Sequence, residues 1–242
     1  MFNRVAIFGG TFDPFTVAHR AICKAAMDRL PIDKLYVIPS IVDYHRVGKT
    51  RMLDDHTRLA CIQHLLWSLG PQYLDKWEID SYELDLLRCC QTTDWHPRRQ
   101  LGLAKEIIAK RRFLHTLLDF KVRHSLHSAH RLSPILVLGS DSVRNLHTWY
   151  KWEAVCANVH NIAMVPDRDN DKFQPPKEIA VGGRRGSFFF DNLIRLPIPR
   201  QFRSISASKV REKYARQPLA LYFADVRKFD NGSASIKELG WA

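Results

Sequence analysis

An α/β fold, a doubly wound parallel sheet with helices on both faces, is what this sequence predicts, on three observations. Short apolar runs alternate with longer stretches of helical periodicity, the pattern of parallel strands joined by crossover helices. The first run, Val5-Ala6-Ile7-Phe8, passes through Gly9-Gly10 into a helix-like segment. At 242 residues and 45% apolar content, one domain can bury a full core. The expected architecture is Rossmann-like. A single domain spans 1–228, with a basic helical insertion at about 96–131 and a frayed tail over 229–242.

Strands are expected at 4–8, 34–39, 75–80, 134–139, 160–165 and 188–196. Within the first two, the runs at 5–8 and 35–39 are continuously apolar, as strands covered on both faces must be. Helices are expected at 16–30, 54–69, 101–130 and 142–157. The first has apolar residues at 17, 18, 22, 25, 26 and 30, one stripe of a helix; apolar positions from 101 to 122 do the same in the insertion. The stretch from Asp167 to Gly186, with Asp, Asn, Lys, Pro and Gly-Gly-Arg-Arg-Gly, reads as a polar loop over the site. Gly232, Ser233 and Ser235 give the tail the composition of a frayed end.

The chemistry begins at Gly9-Gly10-Thr11-Phe12-Asp13-Pro14-Phe15-Thr16-Val17-Ala18-His19. A strand, a tight glycine turn and a helix N-terminus form a place for phosphate, because glycines admit close backbone approach and unpaired N–H groups point at the anion. His19 falls in the first turns of that helix and can neutralise charge developing on phosphoryl oxygens. Far down the chain, Ser204-Ile205-Ser206-Ala207-Ser208-Lys209-Val210-Arg211 places three hydroxyls before a helix-like stretch and then two cations. Serines cap helices, and a phosphate held there can also meet Lys209 or Arg211.

Together these segments resemble the nucleotidyltransferase superfamily with the (H/T)xGH and ISxxxxR signatures. Three more are similar to its nicotinate/nicotinamide mononucleotide adenylyltransferases. Leu136-Val137-Leu138-Gly139-Ser140-Asp141-Ser142, followed by Leu146 to Trp152, looks like that family's G-x-D strand end and tryptophan helix. Tyr36 to Ser40, with His45, Arg46 and Lys49 beyond, looks like its second strand and basic loop; Arg58 stands at its helix arginine. Three departures stand out. The first signature reads Thr16-Val17-Ala18-His19, with threonine as in pantetheine-phosphate adenylyltransferases and alanine for glycine. The Ser-Tyr-Thr-x-Thr-like acceptor segment, sought after Glu83-Leu84, is replaced by Arg88 to Trp95, where Thr92, Thr93 and Trp95 are the stand-ins.

The resemblance implies transfer of AMP from ATP to nicotinate or nicotinamide mononucleotide, giving a dinucleotide and pyrophosphate. It implies that His19 and Thr16 contact the ATP phosphates, beside the backbone of Gly9, Gly10, Thr11 and Phe12. Arg211 with Ser204, Ser206 and Ser208 would hold the β- and γ-phosphates. Lys49 or Arg46 would meet the mononucleotide phosphate or the α-phosphate, Asp141 the ribose, and Thr92 with Trp149 or Trp152 the pyridine. Mg²⁺ would travel with the triphosphate, held by its oxygens and water, with no protein metal site. Two other readings stay open: a pantetheine-phosphate adenylyltransferase, and a non-catalytic nucleotide-binding protein on the same fold.

Composition narrows the setting. No run approaches the roughly 18 apolar residues that span a bilayer, and no signal-peptide pattern precedes the first strand, so a cytoplasmic protein is expected. Five cysteines, odd in number and without a CxxC pair, fit reduced thiols. Net charge is +12, and nine Lys/Arg against Glu106 and Asp119 lie between His96 and Arg131. That stretch lacks interleaved exposed aromatics and any reader motif, so electrostatic steering of phosphorylated substrates is expected rather than nucleic-acid binding. His124, His127 and His130, three apart with no cysteine nearby, fit a surface helix better than zinc. A homo-oligomer is left open.

Overall fold

The computed structural model describes residues 4–41, 52–92, 113–125, 132–166, 179–181, 184–186, 193–205, 207–214 and 217–241. Six strands form the main sheet: β1 (Val5–Gly10), β2 (Lys34–Pro39), β3 (Trp77–Ile79), β4 (Ile135–Gly139), β5 (Asn161–Val165) and β8 (Leu193–Arg195). Their order is β3-β2-β1-β4-β5-β8, and every neighbouring pair is parallel. The order reverses direction beside β1, whose Ile7 stands opposite Tyr36 on one side and Leu136 on the other. That reversal is the topological switch point of a doubly wound sheet.

Alternation along the strands divides the core in two. Ala6, Phe8, Leu35, Val37, Val137 and Ala163 face one layer, with α1 (Val17–Arg29), α2 (Asp55–Trp67) and α9 (Leu219–Asp230). Val5, Ile7, Tyr36, Ile38, Leu136 and Leu138 face the other, with α4 (Phe113–Ser125) and α6 (Trp152–Ala157). A period of two with apolar residues on both sides is why these strands read as unbroken apolar runs.

Several boundaries differ from the sequence expectation. The strand expected at 75–80 is β3 alone, because Pro71–Lys76 winds into a 3₁₀ turn before it. Of the strand expected at 188–196, β8 is the described part; of the helix expected at 101–130, α4 is. The helix expected over 142–157 is broken. It becomes α5 (Ser140–Arg144), a 3₁₀ turn at Leu146–Thr148 and α6, with Lys151 in left-handed backbone at φ 48° before α6. Within the expected polar loop, β6 (Ile179–Val181) and β7 (Arg184–Gly186) pair antiparallel. Helices α3 (Tyr82–Thr92), α7 (Arg200–Arg203), α8 (Ala207–Tyr214) and α9 complete the described elements.

The tail does not fray. Ile236, Leu239 and Trp241 are buried, and Trp241 Nε1 donates to the Tyr214 hydroxyl at 3.2 Å. The small polar residues that read as disorder instead build a turn: the Ser233 and Ala234 amides donate to the Lys228 carbonyl and bring the chain back onto α8 and α9.

Candidate active site

Because β1 and β4 are neighbours at the switch point, their C-terminal ends open a crevice there, walled by Gly9-Gly10 and Gly139. Two adjoining cavities share His19, Ile22, Gly139 and Ala207. One, of about 280 Å³, is lined by Gly9 to Asp13, His19, Ser208 and Arg211 among others. The second, of about 170 Å³, adds Thr16, Ala18, Asp141, Phe202 and Arg203. A third, of about 310 Å³, opens on the β2 side between Gly9, Gly10, Ser40, Glu83, Phe113 and Thr116.

The turn after β1 has a specific need for glycine. A Cβ at Gly10 would meet the Phe12 ring at 2.8 Å, and that ring is buried. Phe12 has φ 47°, a left-handed conformation costly for an aromatic residue. Its ring packs against Phe8, Phe15 and His19, with centroids 5.2, 5.1 and 5.3 Å away, which holds the conformation in place.

Thr16 caps α1. Its side chain accepts from the His19 amide at 3.4 Å, while the Thr16 amide donates to His19 Nδ1 at 2.9 Å. This is a capping box in which histidine stands where glutamate or glutamine usually does. Ala18, at the second helical position, lies against the core and the second cavity, and alanine suits a helix better than glycine would.

The serine segment arrives opposite. Arg211 Nη1 donates to the Asp13 carbonyl at 2.5 Å, and Nη2 to Ser208 Oγ at 3.2 Å. The Asp13 carboxylate, 1% exposed, accepts the Met52 and Leu53 amides at 3.0 and 2.9 Å. Arg58, equally buried, pairs with Asp55 at 2.9 Å and donates to the carbonyls of Thr11 and Ser40. It therefore ties the β1 and β2 exits together and lines none of these three cavities.

The structure thus brings Gly9, Gly10, Thr11, Phe12, His19, Ser208 and Arg211 to one cavity, and Thr16 and Asp141 to its neighbour. Asp141 is largely exposed and pairs with Arg144 at 3.3 Å. It lies beside His19, away from the Glu83 cavity. Trp152 is placed differently from the expected cavity wall: it is buried in the α4/α6 core. Trp149 is half-buried with its ring 5.3 Å from that of Phe113. Ser204 is exposed, its hydroxyl directed to the Gln201 carbonyl, outside all three cavities. Thr92 closes α3. Arg46, Lys49, Ser206, Thr93 and Trp95 lie outside the described residues, as do His127 and His130.

Sequence reasoning missed a polar group beside the glycine turn. Glu83 is 4% exposed, accepts the Ile41 amide at 2.9 Å and takes the Thr116 hydroxyl on its other oxygen. Just before it, Ser81-Tyr82 stands at the β3 exit, earlier than the Ser-Tyr-Thr-like segment was sought. Arg123 fixes this exit through Asp80 at 2.6 and 3.1 Å and stacks over the Tyr82 ring at 4.1 Å. The signal was the Ser-Tyr pair directly after a strand. Arg203, on the second cavity, was also missed.

Among the described residues no three His, Cys, Asp or Glu side chains gather as a metal site, and no helix is long and apolar enough to cross a membrane. Cys23, Cys61 and Cys156 are free thiols in the core. Burial pushes Cys61 and Cys156 up to about 12, so neither is a thiolate nucleophile near neutral pH.

The family described as Cytidylyltransferase-like matches residues 7–213, a span that reaches from the glycine turn to Arg211. The chain belongs to that family. Its relatives include a "Probable nicotinate-nucleotide adenylyltransferase" of Campylobacter fetus, 32% identical over 151 residues, covering 62% of this chain and 65% of that one. A protein of the same name from Solibacter usitatus is 26% identical over 216 residues, covering 88% and 87%. The chain spans just under two thirds of the length of the Campylobacter and Aliarcobacter relatives, 65% and 64%. Among solved structures, the Plasmodium falciparum nicotinic acid mononucleotide adenylyltransferase complexed with NaAD has a TM-score of 0.55 at 17% identity, covering 93% and 89%. The same enzyme complexed with APC scores 0.52 at 18% identity, covering 87% and 83%. At these identities the likeness shows the fold.

Proposed function

We propose that this protein transfers AMP from ATP to nicotinate or nicotinamide mononucleotide, forming a dinucleotide and pyrophosphate. The observation that carries the reading is the convergence of the Gly9–Phe12 turn, His19, Ser208 and Arg211 on one cavity at the switch point. The names of the Campylobacter and Solibacter relatives support a pyridine nucleotide as acceptor and favour the nicotinate form.

The acceptor's 5′-phosphate attacks the α-phosphorus in line, and the bond to the bridging oxygen of pyrophosphate breaks. The nucleophile is already ionised at neutral pH, so no general base or covalent intermediate is needed. Catalysis rests on positioning and on donors aimed at developing charge. His19 donates to the α-phosphoryl oxygens. Arg211 and Ser208 hold the β- and γ-phosphates, beside turn amides at Gly9 to Phe12. Arg203 supplies a further cation on the second cavity. Asp141 accepts from ribose hydroxyls, and Lys49 or Arg46 meets the acceptor phosphate. The pyridine lies on the β2 side, near Phe113 and Trp149.

The cavity walls offer amides, hydroxyls and cations, and the one deeply buried carboxylate among them, Asp13, already accepts two amides. That donor set fits Mg²⁺ carried by the triphosphate, where it neutralises phosphate charge. A coupled pyrophosphate assay with nicotinate mononucleotide, nicotinamide mononucleotide and phosphopantetheine tests the proposal. Release with either pyridine acceptor is expected. Release with phosphopantetheine alone would make it a pantetheine-phosphate adenylyltransferase; ATP binding without release from any acceptor would make it a binding protein.

A further inference from the structure

We infer that Thr16 is a positioning residue that holds His19 as the tautomer protonated on Nε2, and that it acts on the nucleotide only through that ring. A backbone amide can donate but never accept. The Thr16 N–H lies 2.9 Å from His19 Nδ1, so a proton on Nδ1 would set two N–H dipoles head to head. The Thr16 hydroxyl adds a second lock. Its oxygen accepts the His19 amide at 3.4 Å and lies 3.0 Å from Nδ1, which leaves its proton for the ring nitrogen. With Thr16 only 2% exposed, water has little access to replace either bond.

The ring cannot turn away cheaply. Phe8, Phe12 and Phe15 surround it with centroids 6.1, 5.3 and 5.3 Å distant. Turning the ring over would put a carbon where the two donors now meet nitrogen. The capping box that begins α1 is therefore also the device that orients the imidazole, and Nε2 carries the proton a phosphoryl oxygen can accept. This also gives threonine a reason to stand at the first position of the signature, since its hydroxyl both caps α1 and meets the ring nitrogen.

The kinetic arm of the test rests on the adenylyl-transfer reading; the spectroscopic arm does not. Long-range ¹H–¹⁵N correlation on the full, ligand-free chain, with His19→Gln for assignment, should show Nδ1 bare and Nε2 protonated at neutral pH. Thr16→Ser should keep that pattern and wild-type turnover. Thr16→Val removes the hydroxyl lock and keeps the amide one, so a minor Nδ1-protonated form should appear beside the main Nε2-protonated form. The substitution should lower kcat about tenfold, as loss of outer partners that fix a functional imidazole does, and leave the KM for ATP within about twofold. An Nδ1-protonated ring in the wild type overturns the inference even if the valine variant fails to fold. So does a valine variant with unchanged kcat and a raised KM for ATP, which would mean that Thr16 touches the nucleotide itself. Wild type that releases no pyrophosphate refutes adenylyl transfer, and the tautomer is still decided by the spectrum.

Discussion

Arg211 and Asp13 stand 198 positions apart in the chain and meet through one hydrogen bond, Nη1 donating to the Asp13 carbonyl at 2.5 Å. The contact joins the serine segment to the glycine turn. A single cation thus both shapes the turn and presents its other donors to the cavity the two segments share. Arg211→Ala should raise the KM for ATP about tenfold or more and weaken pyrophosphate inhibition in parallel, the scale of one lost charge-assisted contact. Arg211→Lys should recover little of this, because an ammonium lacks the planar fork. Unchanged constants for both ligands would make Arg211 a structural tie alone.

His19→Ala should reduce turnover by about 10²–10³-fold, the usual effect of removing one preorganised donor. ATP binding, followed by calorimetry, should weaken far less. A variant that keeps more than half of wild-type turnover would remove His19 from the reaction.

The packed tail predicts an acid-sensitive clamp. Asp225 accepts from the Tyr214 hydroxyl at 2.5 Å and from Lys213 and Lys228, each at 3.0 Å. Burial alone would raise its carboxyl; hydrogen bonds from Tyr214, Lys213 and Lys228, with the charge of Lys213, outweigh burial and hold it down to about 2. A carboxyl lowered by folding stabilises the fold above its ordinary range, and that contribution disappears as pH falls through about 2. Thermal melts of wild type should therefore lose stability between about pH 4 and pH 2, and Asp225→Asn should flatten that part of the profile. Trp241→Ala should cost about 3–5 kcal/mol, a full aromatic deletion from a core. A melting temperature unmoved by that change would mean the tail is a passive end.

For the basic stretch, changing Arg98, Arg99, Arg111 and Arg112 together to Gln should slow substrate capture chiefly at low salt, since screening limits such fields to about 10 Å near 0.1 M. Turnover at saturating substrate should hold. Submicromolar nucleic-acid binding by the wild type at 150 mM salt, lost in the variant, would replace steering with a nucleic-acid role.

What the sequence showed and what it hid follow from the range of the interactions. The strand–glycine turn–helix at Val5 to Arg29 is a local signal, and it lies where the periodicity put it. In the serine segment the helix was a local signal, found as α8, whereas Ser204 turns to the Gln201 carbonyl, a contact outside the cavity that the run of hydroxyls did not announce. Trp152 was not legible, because Trp149 and Trp152 share one motif while packing divides them, one beside Phe113 and the other in the core. The break before α6 turns on Lys151 adopting positive φ, for which lysine carries no sequence signal. Glu83 gained its place through Ile41 and Thr116, partners 42 and 33 positions away. The tail held an overlooked local cue: Ser235 and Glu238 exchange hydrogen bonds as a capping box, the S-x-x-E spacing hidden behind a composition that reads as disorder.

Tyr222 donates from α9 to the Phe15 carbonyl at 2.7 Å, and Asp230 takes both ends of the Arg20 guanidinium. The glycine turn and the start of α1 are thus finished by residues 207 and 210 positions later. On a ribosome adding about 5–20 residues per second, the turn would wait about 10–40 s for those partners. Until then Phe15 and Arg20 lack these partners, and a chain stopped before α8 also lacks Ser208 and Arg211 from the cavity wall. Ligand added to such a fragment should protect nothing.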